Sequence, residues 1–232
     1  MLRYWTAGES HGKTMLAMVD GFPAGLKVDP ELINNDLKLR QGGYGRGKRQ
    51  DLETDQVDFL SGIWNGNTLG SPIAMQVINR DYKLERLKEL ERPRPGHGDL
   101  TGALKYLGSI RGVLERASAR ESSVRVAAGS LAKQLLGQFG IKVVGYVVQL
   151  GGIDLPPNLE LSFEEKVVTR DSSKIYSLCP DKDQEVIDLI DKSAGEGDTL
   201  GGILEVRVDG LPFGLGTHAQ CDRKLDGKLA HA

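Results

Sequence analysis

The chain has 232 residues, with 30 basic side chains against 32 acidic ones, and the formal net charge of −2 offers no basic field to a nucleic-acid backbone. Apolar residues make up 39% and aromatics 6%, enough for a globular core but little stacking surface for single-stranded nucleic acid. The longest apolar run, around Val143 to Leu150, falls well short of the roughly 20 residues that span a bilayer.

Met1 to Thr6 has no charged leader followed by an apolar stretch, so no signal peptide is expected. Cys179 and Cys221 are too few for a disulfide framework and lack metal-site spacing. A cytoplasmic protein with no metal, membrane or nucleic-acid partner is the expectation. The unusual feature is glycine: 30 residues, about 13% against a usual share of about 7%. Glycine allows backbone to turn at positive φ and to approach a ligand closely, and here it clusters beside Arg, Lys, His and Ser. A small anionic ligand is implied.

In chain order, a strand from Leu2 turns through Gly8-Glu9-Ser10-His11-Gly12 into a second strand over Met15 to Val19. Asp29-Pro30 starts a helix, an N-cap acceptor before a first-turn proline, with Leu32, Ile33 and Leu37 predicted inward and an end near Arg40. Gln41 to Arg49 is a basic glycine loop. Strands are predicted at Val57 to Leu60 and Ile73 to Ile78, followed by a charged, mobile insertion over Asn79 to Glu91. The two prolines of Arg92 to Asp99 forbid helix there. A long helix is predicted from Glu115 to Phe139, with Val124, Ala127, Ala128, Leu131, Leu135 and Leu136 on one face. A buried strand over Ile141 to Leu150 follows. Leu155 to Asp183 reads as irregular, Gln184 to Lys192 as a short helix, and Gly201 to Val208 as a strand. The helix from Asp222 is still running at Ala232, with Leu225 and Leu229 awaiting a partner, so a truncated chain is expected.

Four constellations can carry chemistry. Gly8 to Gly12 matches G-x-S-x-G, and a triad of Ser10, Asp198 and His218 can be written in hydrolase order. The context argues against that alternative, because only seven residues precede Gly8 and a strand follows instead of a helix. The loop after Arg40 combines four glycines with Arg46, Lys48 and Arg49, a pattern suited to phosphates and carboxylates or simply to solvent. His11 and His97 both sit in glycine turns with arginines nearby, and histidine exchanges its proton near neutral pH. Arg116 and Arg120, spaced i, i+4 on the predicted long helix, either bind an anion beside the small Ala117 and Ser118 or form surface salt bridges with Glu115 and Glu121.

In this order the motifs resemble the chorismate synthase family. The resemblance is carried by Gly8 to Gly12, Arg40-Gln41-Gly42-Gly43-Tyr44-Gly45-Arg46-Gly47, Arg94-Pro95-Gly96-His97 with Asp99, and Glu115 to Glu121 with Arg125 to Gly129. Gly197 to Gly202 and Asp222 to Asp226 add to it, so the match runs over essentially the whole chain. Gly98 stands where the family usually has alanine, and Tyr106 to Arg111 is one residue shorter than usual.

The resemblance implies a single family domain over residues 1–232, an α+β fold built as a β-α-β sandwich of antiparallel sheets with helices. It implies a lyase that eliminates phosphate from 5-enolpyruvylshikimate 3-phosphate in a 1,4-anti sense, giving chorismate at the last common step of aromatic amino acid biosynthesis. Reduced FMN is required without net redox change, NADPH is a possible reductant, and a homotetramer is usual. His11 would protonate the departing phosphate and His97 would act near the flavin. Arg40, Arg46 and Arg120 would meet substrate or a nicotinamide dinucleotide phosphate, and Arg116, Ala117 and Ser118 would bind FMN. Family members continue for well over a hundred further residues, which carry more FMN contacts. A non-catalytic anion- or flavin-binding fragment is therefore the alternative.

Overall fold

In the computed structural model, which describes residues 2–47 and 52–232, the N-terminal alternation forms β1 (Arg3–Ala7) and β2 (Thr14–Asp20). They join β3 (Val57–Ser61) and β6 (Ile73–Ile78) in a wholly antiparallel sheet of order β1-β2-β6-β3, while β4 (Ile63–Trp64) and β5 (Asn67–Thr68) make a separate small hairpin. Strand alternation puts Met15, Ala17, Val19, Ile73, Met75 and Val77 on one buried face.

Helices supply the rest of this core. The Asp29 carboxylate accepts the Glu31 N–H at 2.9 Å and caps α1 (Pro30–Gln41), which buries Ile33 and Leu37. Leu32, expected inward, is exposed, because the buried stripe runs i, i+4 through positions 33 and 37 and position 32 falls beside it. Helix α1 lies along α4 (Ser122–Gly137), joined by Lys133–Asp36 at 2.9 Å. Helix α4 buries Val124, Ala127, Ala128 and Leu131.

The predicted single helix from Glu115 is broken. Helix α2 (Asp99–Tyr106) and α3 (Ile110–Arg116) form a hairpin, the chain leaves helical geometry at Ala117 and Ser118, and a 3-10 turn over Ala119–Glu121 precedes α4. Ser118 causes the break: it is extended (φ −78°, ψ 146°) and its hydroxyl accepts the Arg120 N–H at 3.3 Å. Serine competes with the helical backbone in this way wherever its side chain reaches a free N–H.

By contact the chain divides into two compact units, Met1–Gln134 and Leu135–Ala232. In the second, β7 (Lys142–Leu150) pairs antiparallel with β8 (Ile153–Asp154) and β9 (Gly202–Asp209). Residues 155–183, expected irregular, contain α5 (Phe163–Ser172), opened by a reciprocal capping box between Ser162 and Glu165. Helix α6 (Asp183–Gly195) follows the chain to Val186 and Ile187, which are buried. Val144 and Tyr146 pack with Leu178, and Leu155 packs with Ile175 and Val186. Helix α7 (Leu225–His231) begins three residues after the predicted start, behind a 3-10 turn, and leaves Leu225 and Leu229 exposed. The expected α+β class with antiparallel sheets is the one the chain adopts.

Candidate functional site

The turn between β1 and β2 carries Ser10 and His11. Gly8 opens it at φ +104°, and a Cβ there would lie 2.4 Å from the Thr14 carbonyl, so only glycine fits without rearrangement. Buried Asn79 holds the far side, its amide donating to the Gly12 carbonyl at 2.8 Å and the Glu9 carbonyl at 3.2 Å.

Glu115, at the end of α3, holds the near side. Its carbonyl accepts the Ser10 N–H at 2.8 Å, and its carboxylate accepts the His11 N–H at 2.8 Å. The same carboxylate lies 2.9 Å from Nδ1 of His11. On the other side of the ring, Nε2 is 3.5 Å from Asp81, itself paired with Lys83 Nζ at 2.8 Å. His11 is thus set between two carboxylates, Glu115 buried and Asp81 partly open.

The insertion expected to be mobile is bonded into this site. The His11 carbonyl accepts the Lys83 and Leu84 N–H groups at 3.1 and 2.9 Å, and the Glu89 carboxylate accepts the Arg111 N–H at 2.9 Å. The Ser109 hydroxyl, then the Arg111 and Leu90 amides, hold the Glu89 carboxyl below its ordinary range. Charged side chains here have found charged and backbone partners, which composition cannot distinguish from solvation.

Ser10 is 1% exposed, and its hydroxyl accepts from Ser118 at 2.9 Å. Its turn joins two antiparallel strands, whereas a nucleophile elbow needs a strand entering a helix with the serine presented outward. The serine hydrolase alternative is overturned by that geometry. Arg116 donates to the Thr6 carbonyl at 2.8 Å, the Thr6 hydroxyl at 2.6 Å and the Gly8 carbonyl at 3.3 Å, so it and Ala117 edge the same turn from outside, both exposed. Because the helix breaks, Arg116 and Arg120 do not share the helical face predicted for them.

Arg120 is turned inward. Its guanidinium donates to Asp55 at 2.6 Å, Asn79 at 2.7 Å and the Ile78 carbonyl at 3.3 Å, with Glu53 at 3.6 Å. Arg40 bonds the other Asp55 oxygen at 3.1 Å, the Ser122 hydroxyl at 2.9 Å and the Ala119 carbonyl at 3.0 Å. Burial lowers its pKa from the ordinary arginine value, opposed by Asp55. Each of these arginines is thus paired with a buried acid, since a guanidinium with a carboxylate in reach loses less by being enclosed. Arg46 is exposed on the glycine loop, with Nε donating to the Gly42 carbonyl at 3.0 Å, and Lys48 and Arg49 lie outside the described residues.

His97 is exposed between Gly96 and Gly98, its Nδ1 2.9 Å from the Pro95 carbonyl. Arg94 clamps Asp99 below it through Nε at 2.9 Å, Nη2 at 3.1 Å and its own N–H at 3.0 Å. These bonds hold the Asp99 carboxyl down at about 2.

Sequence reasoning overlooked Glu115, Asp81, Asn79, Glu53 and Asp55. Only Glu115 carried a signal, as part of a recognisable motif, and its spacing suggested a surface salt bridge. Among the described residues, no group of three His, Cys, Asp or Glu side chains is placed to hold a metal ion, and no helix is long and apolar enough to cross a membrane.

A family model described as chorismate synthase matches residues 2–232. The chorismate synthase of Alkaliphilus metalliredigens is 49% identical across the whole chain, as is that of Desulforamulus reducens, and chorismate synthase 2 of Bacillus thuringiensis is 45% identical. The chain spans 63–64% of the length of these relatives. A crystal structure of a chorismate synthase superposes with a TM-score of 0.82 at 38% identity, over 99% of this chain and 64% of that one. With the family's motifs in order and its fold in place, the chain belongs to the chorismate synthase family.

Proposed function

We propose that the chain carries out, or supplies the larger part of the site for, elimination of phosphate from 5-enolpyruvylshikimate 3-phosphate to give chorismate. What supports this reading most directly is His11, an imidazole oriented through Nδ1 by a buried carboxylate, with Nε2 directed away from it. In its charged form the ring holds one proton toward Glu115 and offers the other from Nε2 to a departing phosphate. Arg46, exposed on its glycine loop, meets anionic groups of substrate or of a nicotinamide dinucleotide phosphate. Arg40 and Arg120, both held by Asp55, add positive charge for the same anionic groups.

The residues assigned to FMN fit a flat phosphate-bearing group: Arg116 presents an exposed guanidinium, Ala117 carries only a methyl group, and Ser118 adds a hydroxyl. Reduced FMN, when bound, supplies electron density to the allylic system of the substrate with no net redox change. His97, its Nδ1 set by Pro95, keeps Nε2 outward to hold a proton near that group. The same reading carries a single family domain over both units, NADPH as reductant, and a cytoplasmic homotetramer.

Anaerobic turnover with chemically reduced FMN tests it, following chorismate and phosphate together. Equal release of both, absent with oxidised flavin and reduced about 10²–10⁴-fold by His11→Ala, is expected. Flavin binding without product would sink the catalytic reading for this chain and leave the flavin-binding fragment.

A further inference from the structure

We propose that Glu115 is the positioning residue of His11, fixing which ring nitrogen carries the transferable proton. The inference rests on the assignment of His11 above, but its geometry stands independently. Two groups of this one residue hold three groups of the turn: its carbonyl takes the Ser10 N–H, and its carboxylate takes both the His11 N–H and Nδ1, all between 2.8 and 3.0 Å. The carboxylate is 1% exposed, and Arg111 Nη1 at 3.7 Å balances its charge from the preceding helical turn.

A buried carboxylate accepts and does not donate, so Nδ1 of His11 must be the protonated nitrogen whenever the ring is neutral. The exchangeable proton is then the one on Nε2. Asp81 faces Nε2 at 3.5 Å, too long for a hydrogen bond of normal strength, and Lys83 Nζ at 2.8 Å holds it on its other side. Asp81 therefore faces the Nε2 side, opposite Glu115. The arrangement gives the ring one fixed nitrogen and one working nitrogen, as a buried aspartate does for the histidine of a serine protease.

The test reads the His11 tautomer by long-range ¹H–¹⁵N NMR on the ¹⁵N-labelled 232-residue chain, at the alkaline end of the ring's titration. The wild-type chain is expected to show the Nδ1–H form, and the Nε2–H form there would overturn the proposal without need of any variant. Glu115→Ala should shift His11 toward Nε2–H, while Glu115→Gln, which keeps an acceptor oxygen, should restore Nδ1–H. Asp81→Asn should leave the tautomer unchanged. His97, whose partner is the Pro95 carbonyl, serves as the internal control in each spectrum. A tautomer insensitive to Glu115→Ala in a folded chain, or one that follows Asp81→Asn instead, would also overturn it. Where turnover is measurable, Glu115→Ala should lower kcat by at least about tenfold, toward the roughly 10⁴-fold seen when such an aspartate partner is neutralised, with a smaller change in KM. A correct tautomer in a chain without turnover would count against the proposed reaction and leave the role of Glu115 standing.

Discussion

The two histidine turns are built in opposite ways. His11 is held from far along the chain, by Glu115 at a separation of 104 residues, while Asn79 reaches Gly12 across 67. His97 is held by its own neighbourhood, with Pro95 two residues away and the Arg94–Asp99 clamp spanning five. The first turn exists only when the sheet, α3 and the segment after β6 have all assembled. The polar bonds of the second lie within its own sequence. Ligand chemistry that depends on His11 is therefore tied to partners brought together from across the first unit, and that of His97 to partners close in sequence.

The strongest way to break this contrast is Asp55→Ala. It leaves two arginines, Arg40 and Arg120, enclosed without their shared carboxylate, and breaking one side of a buried ion pair costs about 3–5 kcal/mol. Arg120 also bonds Asn79, the residue that holds the His11 turn. Chemical denaturation should show the loss, and NMR should show His11 displaced with His97 unmoved. A loss below about 1 kcal/mol would mean that the buried charges relax to water and that the His11 turn does not depend on them.

A smaller effect separates the turns through glycine. Gly8 is hemmed in at positive φ, whereas Gly96, at φ +70°, has nothing within 4 Å of where a Cβ would stand. Gly8→Ala should combine backbone strain with a clash and cost more than about 2 kcal/mol, while Gly96→Ala should cost only the left-handed penalty of about 1–2 kcal/mol. Equal costs, measured by thermal unfolding, would show that the Gly8 turn yields as easily as the other.

The same contrast explains what could be read from the sequence. Local chemistry was legible: the apolar strand over Met15 to Val19, the Asp29-Pro30 helix start, and the proline-bound approach to His97 all act over a few residues. The Ser162–Glu165 capping box was equally local and was passed over only because hydrophilic composition dominated its surroundings. Partnerships across the chain were not legible. A guanidinium suits a ligand phosphate and a buried carboxylate alike, so nothing near Arg40 and Arg120 in the sequence pointed to Glu53 and Asp55 beside them. Glu115 looked like a helix-surface acid because the break at Ser118 was not foreseen. The motifs located the region of the site, and the fold decided which of its charges face outward.

The mildest prediction concerns the local turn alone. Arg94 hydrogen bonds, then its backbone N–H, hold the Asp99 carboxyl at about 2, below the ordinary 3.8. A carboxyl lowered on folding contributes stability that is fully present above its unfolded value and is lost as pH falls through the folded one. The Arg94–Asp99 clamp should therefore persist at pH 4 and weaken progressively toward pH 2. Carboxyl ¹³C NMR of Asp99 should show a midpoint near 2 in the wild-type chain, and Arg94→Ala should raise it. His97 should feel that change, because its supporting turn loosens, while the His11 tautomer should not. If Arg94→Ala altered the His11 tautomer and spared His97, the two turns would be coupled in the reverse of the sense argued from their partners.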